Sequence, residues 1–257
     1  MRAILTVLGS GTSMGVPTIG CTCRVCTSAD PRDQRTRPSI MLEYSGRCVL
    51  IDTTPDFRQQ AIREKITRID AILYTHAHAD HILGLDDVRP LSFRSEGKIP
   101  LYAHEATASA LEGIFRYIFD ANYKYGGIAR VEMCRINGAL DLFGASFVPV
   151  KVLHGDAEIH GFRFGSAAYL TDFSEIPPDS MERLRGLDIL FLDALRHRPH
   201  PTHSTVSNSL RLVEELAPRR AYFTHISHDL AHEETNQGLP QHVRLSHDGL
   251  KLEFDIA

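Results

Sequence analysis

Apolar residues fall along this chain in short runs, most of which alternate with period two or stay apolar for four to eight residues, as strands do. AILTVL (3–8), SIMLEY (39–44), CVLID (48–52), DAILYT (70–75), IPLYAH (99–104) and ASFVPVKVL (145–153) come first. FRFGSAAYLTD (162–172), DILFLDA (188–194), RAYFTHI (220–226) and KLEFDI (251–256) follow. A helical period is clearest in TVSNSLRLVEELA (205–217), where Val206, Leu210, Val213 and Ala217 share a face. Ser204 is placed to cap that helix and Pro218 to stop it. Further helices are predicted over 55–66, 80–90, 105–120 and 179–186. Strands dominate the first two thirds and then alternate with helices, which predicts an α/β architecture of two sheets sandwiched between helices. No repeat, low-complexity stretch or dividing linker interrupts the pattern, so residues 1–257 read as one domain. The glycines Gly9, Gly11 and Gly15 lack dinucleotide-binding spacing, and cysteines follow where that motif needs a helix; they read as a tight turn after the first strand.

Composition narrows the function classes. Hydrophobic content of 43% and charged content of 23% are those of an ordinary globular chain. A formal charge of -4 speaks against binding nucleic acid by bulk electrostatics. The opening MRAILTVLGSGTSMG is too short in its apolar part for a secretory signal, and no run approaches the roughly 18 residues of a membrane span. A cytoplasmic protein without membrane contact is expected. Of five cysteines, Cys21, Cys23 and Cys26 cluster, which in a reducing compartment favours a metal site over disulfides. Cys48 and Cys134 sit in apolar stretches and are expected to be buried as small hydrophobes. Fourteen histidines are the unusual count, and they direct attention to metal chemistry.

The strongest local signal is His76-Ala77-His78-Ala79-Asp80-His81, directly after the strand DAILYT. Four metal-capable side chains within six residues, with small spacers, let a loop close tightly around a cation. This H-x-H-x-D-H run resembles the signature of the metallo-β-lactamase superfamily, and further elements occur in the order that family shows. Asp52 ends CVLID, where it would brace the metal loop; His154 ends VKVLH; Asp172 ends YLTD; His225 lies in FTHISH. The resemblance implies an αββα four-layer sandwich of two mixed sheets and a dinuclear site. One ion would be held by His76, His78 and His154, the other by Asp80, His81 and His225, with Asp172 bridging. Zn²⁺ or Mn²⁺ suits those donors, and a hydroxide activated by the metal pair would be the nucleophile.

Cys21-Thr22-Cys23-Arg24-Val25-Cys26 is one ligand short of a tetrahedral zinc shell. The stretch GTSMGVPTIGCTCRVC resembles the N-terminal segment of the cyclic phosphodiesterases associated with the carbon–phosphorus lyase pathway, the PhnP type. That resemblance supplies His228 as fourth ligand and a structural Zn²⁺ pinning the loop over 21–38. His203-Ser204-Thr205 resembles both the general-acid histidine of those phosphodiesterases and the H-S-T motif of tRNA 3′-processing endonucleases. A histidine just before a helix can protonate a leaving alkoxide. His197 and His200 lie close to it in sequence, and the position of His203 relative to His225 favours His203. Arg196 and Arg198 are candidate phosphate contacts, and the aromatic segment 114–127 is a candidate substrate wall or core element. Asp86 and Asp87 are placed either to orient ligand histidines or to face water, while His104, His160, His232, His242 and His247 are given no role.

The leading expectation is therefore a metal-dependent phosphodiesterase for a small, cyclic or nucleotide-like phosphate diester, with catalytic His203 and Asp80. It would act on a small molecule rather than nucleic acid, and the resembling phosphodiesterases lead one to expect a homodimer. Three alternatives stand beside it: tRNA or RNA 3′-end processing, a protein like the B-type protein of PQQ biosynthesis, and a non-catalytic zinc-stabilised binding protein. The full set of seven ligands speaks against the last.

Overall fold

The computed structural model describes residues 1–257, whose fourteen strands form two seven-stranded sheets. The first has the order β14 (Lys251–Asp255), β1 (Arg2–Gly9), β2 (Ser39–Tyr44), β3 (Arg47–Ile51), β4 (Ala71–Leu73), β5 (Ile99–Ala103), β6 (Val131–Arg135). The second runs β13 (Val243–Leu245), β12 (Arg220–Thr224), β11 (Ile189–Asp193), β10 (Ala167–Leu170), β9 (Ala157–Phe164), β8 (Ala145–His154), β7 (Leu140–Leu142). Both are mixed: β3 to β6 and β10 to β13 pair in parallel, the remaining neighbours antiparallel.

Alternation decides which face each side chain joins. Val49 and Ile51 of β3 meet Phe162, Tyr169 and Phe191 in the layer between the sheets. Leu50, between them in sequence, points outward to pack with Phe57 of helix α1 (Phe57–Arg63). Likewise Phe191 faces inward, while Leu190 and Leu192 pack outward with Leu212 and Val213 of a helix at Val206–Leu216. Strands covered on both faces must be apolar throughout, which is why CVLI and ILFL carry no polar alternation. Each such buried side chain is worth about 1.5–3 kcal/mol. The result is the expected αββα sandwich.

Several helices differ from the sequence expectation. The stretch 80–90 is three pieces: α2 (Ala79–Ile82), a 3-10 turn (Leu85–Val88) and α3 (Arg89–Ser92). The break falls at Gly84, whose N–H leaves the helix to donate to the Thr53 carbonyl at 3.0 Å, and which must be glycine because a Cβ there would overlap the Thr54 carbonyl. The stretch 105–120 splits at Phe115 into α4 (Glu105–Ile114) and α5 (Arg116–Phe119). The helices near 55–66 and 179–186 are α1 and a shorter α6 (Pro178–Glu182). In α7 (Val206–Leu216) the cap is Thr205, whose hydroxyl accepts from Asn208 N–H, and not Ser204. Its buried face is Val206, Ser209, Leu212, Val213 and Leu216, so Leu210 is only partly covered and Ala217 is exposed. The run 162–172 spans two strands, β9 and β10, turned at Gly165 with φ +56. Strands β6, β7 and β13 carry too few apolar residues to stand out in the sequence. Cys48 is buried as expected, but Cys134 is only half-buried, because β6 closes the first sheet at its edge. The early glycines permit close backbone approach as well as a turn: a Cβ on Gly11 would lie 2.8 Å from the Arg35 carbonyl oxygen, and Gly15 has φ +65. No helix is long and apolar enough to cross a membrane.

The strands β1, β3, β4, β8, β10, β11 and β12 end on one edge of the sandwich. There the two sheets are tied across: Gly11 bridges Ile226, Ile226 N–H donates to the Ser10 carbonyl at 2.9 Å, and Thr12 N–H to the Ile226 carbonyl at 3.2 Å. The carboxyl ends of such strands are where α/β sheets place ligands.

Candidate metal centre

Four strand ends deliver seven side chains to this edge. His76, His78, Asp80 and His81 follow β4, His154 ends β8, Asp172 follows β10 and His225 follows β12. The ligating atoms of His76, His78 and His154 lie within 4.8 Å of one another, and so do those of Asp80, His81, Asp172 and His225. In the second group Asp172 lies 3.2 Å from His81 Nε2 and 3.1 Å from His225 Nε2, using a different oxygen for each. Asp80 Oδ2 lies 3.3 Å from His81 Nε2 and 3.6 Å from His225 Nε2. The His76 and His81 rings, 4.1 Å apart, join the two groups.

Hydrogen bonds behind the cluster fix which nitrogen each ring presents. Asp52 is fully buried; it accepts Thr75 N–H at 2.9 Å and the Thr75 hydroxyl at 2.8 Å, and pairs with His81 Nδ1 at 2.8 Å. With its proton given to Asp52, the Thr75 oxygen can accept from His76 Nδ1 at 3.0 Å. His154 Nδ1 donates to the Thr202 carbonyl at 2.8 Å. Each of these three imidazoles therefore turns Nε2 toward the centre. Three of the acidic and basic positions are held in the left-handed region without being glycine: Asp52 (φ +66), Asp172 (φ +58) and His225 (φ +56). Such residues cost about 1–3 kcal/mol each and persist where the surroundings over-determine them. At Asp52 the hydrogen bonds with Thr75 and His81 supply that constraint.

The electrostatics are those of a site shaped around positive charge. Burial pulls His225 down, yet Asp172, then Asp80 and Asp193, push it up to about 9. Burial is likewise outweighed at His81, where Asp172 and Asp80 hold the pKa well above the ordinary value. Asp172 resists burial through His225 and His81 and stays well below the carboxylate range. His76, by contrast, is pushed down by burial and then by the His81 charge. His76 Nε2, Asp80 Oδ2, His81 Nε2 and His225 Nε2 are all buried with no hydrogen-bond partner. Buried polar atoms normally have partners, and these converge with the chemistry of divalent-cation donors. The residues fit the metals that the fold implies.

Beside this cluster stands His203. Its Nδ1 donates to Asp193 Oδ2 at 2.7 Å, and its ring stacks on His225 at 4.6 Å and 11° and lies 4.8 Å from His154. Asp193, the last residue of β11, is fully buried. It was not singled out from sequence, although an Asp closing an apolar strand, as Asp52 closes CVLID, was a readable signal. His197 is exposed, and His200 lies at the rim with its ring 5.0 Å from that of His203. Arg196 turns back onto the carbonyls of Arg198 and Pro199 in its own loop, and Arg198 lies 3.5 Å from Asp229 in the loop after β12. Asp86 accepts the Tyr117 hydroxyl at 2.9 Å and touches no ligand histidine. The segment 114–127 divides: Phe115 and Ile118 are core, whereas Tyr125 is 91% exposed.

A second cluster lies on the same edge. Cys21, Cys23 and Cys26 place their sulfurs 3.3, 3.7 and 3.3 Å from His228 Nδ1. A tetrahedral zinc with Zn–S of about 2.3 Å and Zn–N of about 2.0 Å has S···N edges of about 3.5 Å, so the spacing fits. Cys26 N–H donates to Cys23 Sγ, which with its neighbours lowers that thiol to about 7. The loop carrying His225 and His228 is clamped from within by Arg35, which sequence reading passed over. Its fully buried guanidinium donates to the carbonyls of Ser227 at 3.0 Å and Leu230 at 2.8 Å and to Asp33 at 2.9 Å.

The chain is similar to several known proteins. A family model described as the beta-lactamase superfamily domain matches residues 47–226. Over 99% of its length the chain is 36% identical to an octanoyltransferase of Porphyromonas gingivalis, of which it spans 52%, about half. It is 34% identical over 231 residues to coenzyme PQQ synthesis protein B of Methylobacterium nodulans, covering 75% of this chain and 72% of that protein. A crystal structure of a diphosphatase from the PhnP family shares 65% identity and a TM-score of 0.95, covering 100% of this chain and 98% of that one.

Proposed function

This chain belongs to the metallo-β-lactamase superfamily as a metal-dependent hydrolase, and on that premise we propose that it cleaves a phosphorus–oxygen bond in a small phosphate diester, cyclic or nucleotide-like. His76, His78 and His154 would hold one divalent cation and Asp80, His81, His225 and Asp172 a second, with Asp172 also within reach of the first; Zn²⁺ and Mn²⁺ suit these donors. When bound, the cations supply Lewis acidity toward water and the phosphoryl oxygens. Cys21, Cys23, Cys26 and His228 would hold a structural Zn²⁺, tying the N-terminal loop to the strand end bearing His225.

The observation that carries the reading is the His203–Asp193 pair set beside the metal ligands. Metal ligands alone would suit many hydrolyses on this fold. A departing alkoxide needs a proton, and a histidine placed to give one contributes about 10²–10⁴-fold. Asp193 accepts the Nδ1 proton of His203 and fixes the ring, which leaves Nε2 to face the departing oxygen. The PhnP-family neighbour is a diphosphatase, a reaction that also breaks a P–O bond but expels phosphate, so small diphosphates belong to the substrate class to be tried.

The test pairs metal analysis of the purified protein with turnover of bis(p-nitrophenyl) phosphate, a cyclic phosphodiester and a nucleoside diphosphate, with and without Mn²⁺. We expect about three metals per chain, two catalytic and one structural, with Mn²⁺-stimulated cleavage. Asp172→Ala should abolish cleavage while leaving the circular dichroism spectrum intact. One zinc per chain and no cleavage of any of the three would overturn the reading. A role like that of the PQQ synthesis protein B relative would then move ahead.

A further inference from the structure

The loop between β11 and α7 carries a second imidazole, His200, that the proposed acid–metal chemistry does not use. The loop is braced on both sides: Leu195 N–H donates to the Ser204 carbonyl at 3.1 Å and Val206 N–H to the Arg196 carbonyl at 3.1 Å. Its inner turn supports the centre, since the Thr202 carbonyl accepts His154 Nδ1. Thr202 in turn points its backbone N–H at His200 Nδ1 at 3.4 Å and its hydroxyl at the same atom at 3.2 Å. A backbone N–H can only donate, so His200 Nδ1 carries the lone pair. The proton of the neutral ring then sits on Nε2, which has no partner in the protein. Burial, followed by the nearby His203 and Arg196, lowers the pKa of His200 and keeps the ring in that neutral form.

The two imidazoles are thus set up in opposite senses. His203 donates through Nδ1 to a buried carboxylate and presents Nε2 as an acid. His200 accepts at Nδ1 and presents Nε2–H, a hydrogen-bond donor far too weak as an acid to protonate a leaving group. Its half-buried ring lies 5.0 Å from that of His203 at 53°, at the rim of the site. Both arginines of the loop are engaged elsewhere, Arg196 with the loop carbonyls and Arg198 beside Asp229. We propose that His200 is a phosphate-binding residue, its Nε2–H donating to a non-bridging oxygen of the substrate while His203 faces the departing oxygen. The inference rests on reading the site as a phosphoester hydrolase.

The test measures inorganic phosphate binding by calorimetry, and KM and kcat on bis(p-nitrophenyl) phosphate, for the metal-loaded protein, His200→Ala and His200→Gln, with metal content determined for each. Losing a hydrogen bond to a charged oxygen should weaken phosphate binding and raise KM about tenfold in His200→Ala. The kcat should fall by no more than about threefold, because a binding contact common to ground and transition states acts on KM. His200→Gln, which keeps an N–H donor, should recover most of the phosphate affinity. Unchanged phosphate affinity in His200→Ala would overturn the proposal. Metal loss with a matching fall in kcat in both variants would also overturn it, because His200 would then merely buttress Thr202 and His154. If the unaltered protein hydrolyses none of the phosphorus substrates, the phosphoester reading fails by itself, and phosphate calorimetry still decides the role of His200.

Discussion

Asp193→Asn keeps the shape of the buried side chain at the end of β11 and removes its charge. Its carboxylate lies 2.7 Å from His203 Nδ1, and the pair is shielded from solvent, with Asp193 fully buried. Unit charges about 4 Å apart in an effective dielectric of about 20 attract by about 4 kcal/mol. At about 1.4 kcal/mol per decade of rate, that is about three decades, within the range of about 10²–10⁴ that a general acid supplies. The loss should depend on the leaving group. A diester that expels an alkoxide needs the proton, so kcat/KM should fall about 10³-fold. One that expels p-nitrophenolate barely needs it and should lose less than about tenfold. His203→Ala should show the same contrast, and the double variant should be little worse than either single one, since the two residues act as a unit. Stopped-flow or discontinuous phosphate-release assays on paired substrates, with metal content measured alongside, give the comparison. Equal losses on both leaving groups, or additive losses in the double variant, would refute the assignment and place Asp193 in support of His225 instead.

Three other expectations follow from the same structure. Cys23→Ser should lose about one zinc per chain and lower Tm by about 10 °C, corresponding to about 3 kcal/mol, while turnover per folded molecule falls less; a loss of turnover in step with zinc would move the cysteines into the active site. Arg35→Met should strand the buried Asp33 carboxylate and cost about 3–5 kcal/mol by urea denaturation, with Asp33→Asn/Arg35→Met recovering part of it; an unaffected midpoint would mean that the Arg35 clamp is idle. In the chelated protein the folded pKa of His225, about 9, exceeds the unfolded value of about 6.5. Its contribution is therefore fully present below pH 6.5 and lost as pH rises to about 9, so Tm should fall over that window by about 10 °C at most. Excess Zn²⁺ or Mn²⁺, which occupies the same nitrogen, should flatten that slope, and a slope indifferent to metal would count against His225 as a ligand.

What the sequence determined by itself was local chemistry. His76, His78, Asp80 and His81 lie within six residues, and Cys21, Cys23 and Cys26 likewise, so spacing alone announces metal sites. The strands β3 and β11 were legible because burial on both faces requires uninterrupted apolar residues. His154, Asp172 and His225 are single letters at strand ends, tied to the motif only by family resemblance until β4, β8, β10 and β12 brought them together. That convergence depends on sheet order and strand direction, which no residue spacing encodes. The same holds for the groups that aim the ligands. Thr75 looks like an ordinary strand-end polar residue, Asp193 shows only as an Asp closing an apolar strand with no partner indicated, and the Thr202 carbonyl has no signature at all, since every residue carries one. Left-handed Asp52, Asp172 and His225 run against local propensity, which would ask for glycine there. Tertiary structure also decided the helices. One ends at Gly84 because its N–H is taken by the Thr53 carbonyl across the fold, and the buried stripe of α7 follows the packing of Leu212, Val213 and Leu216 against β11 and β12. Sequence fixes what each residue can do chemically; only packing decides which atoms meet, because contact is set by long-range pairing energies distributed over many residues.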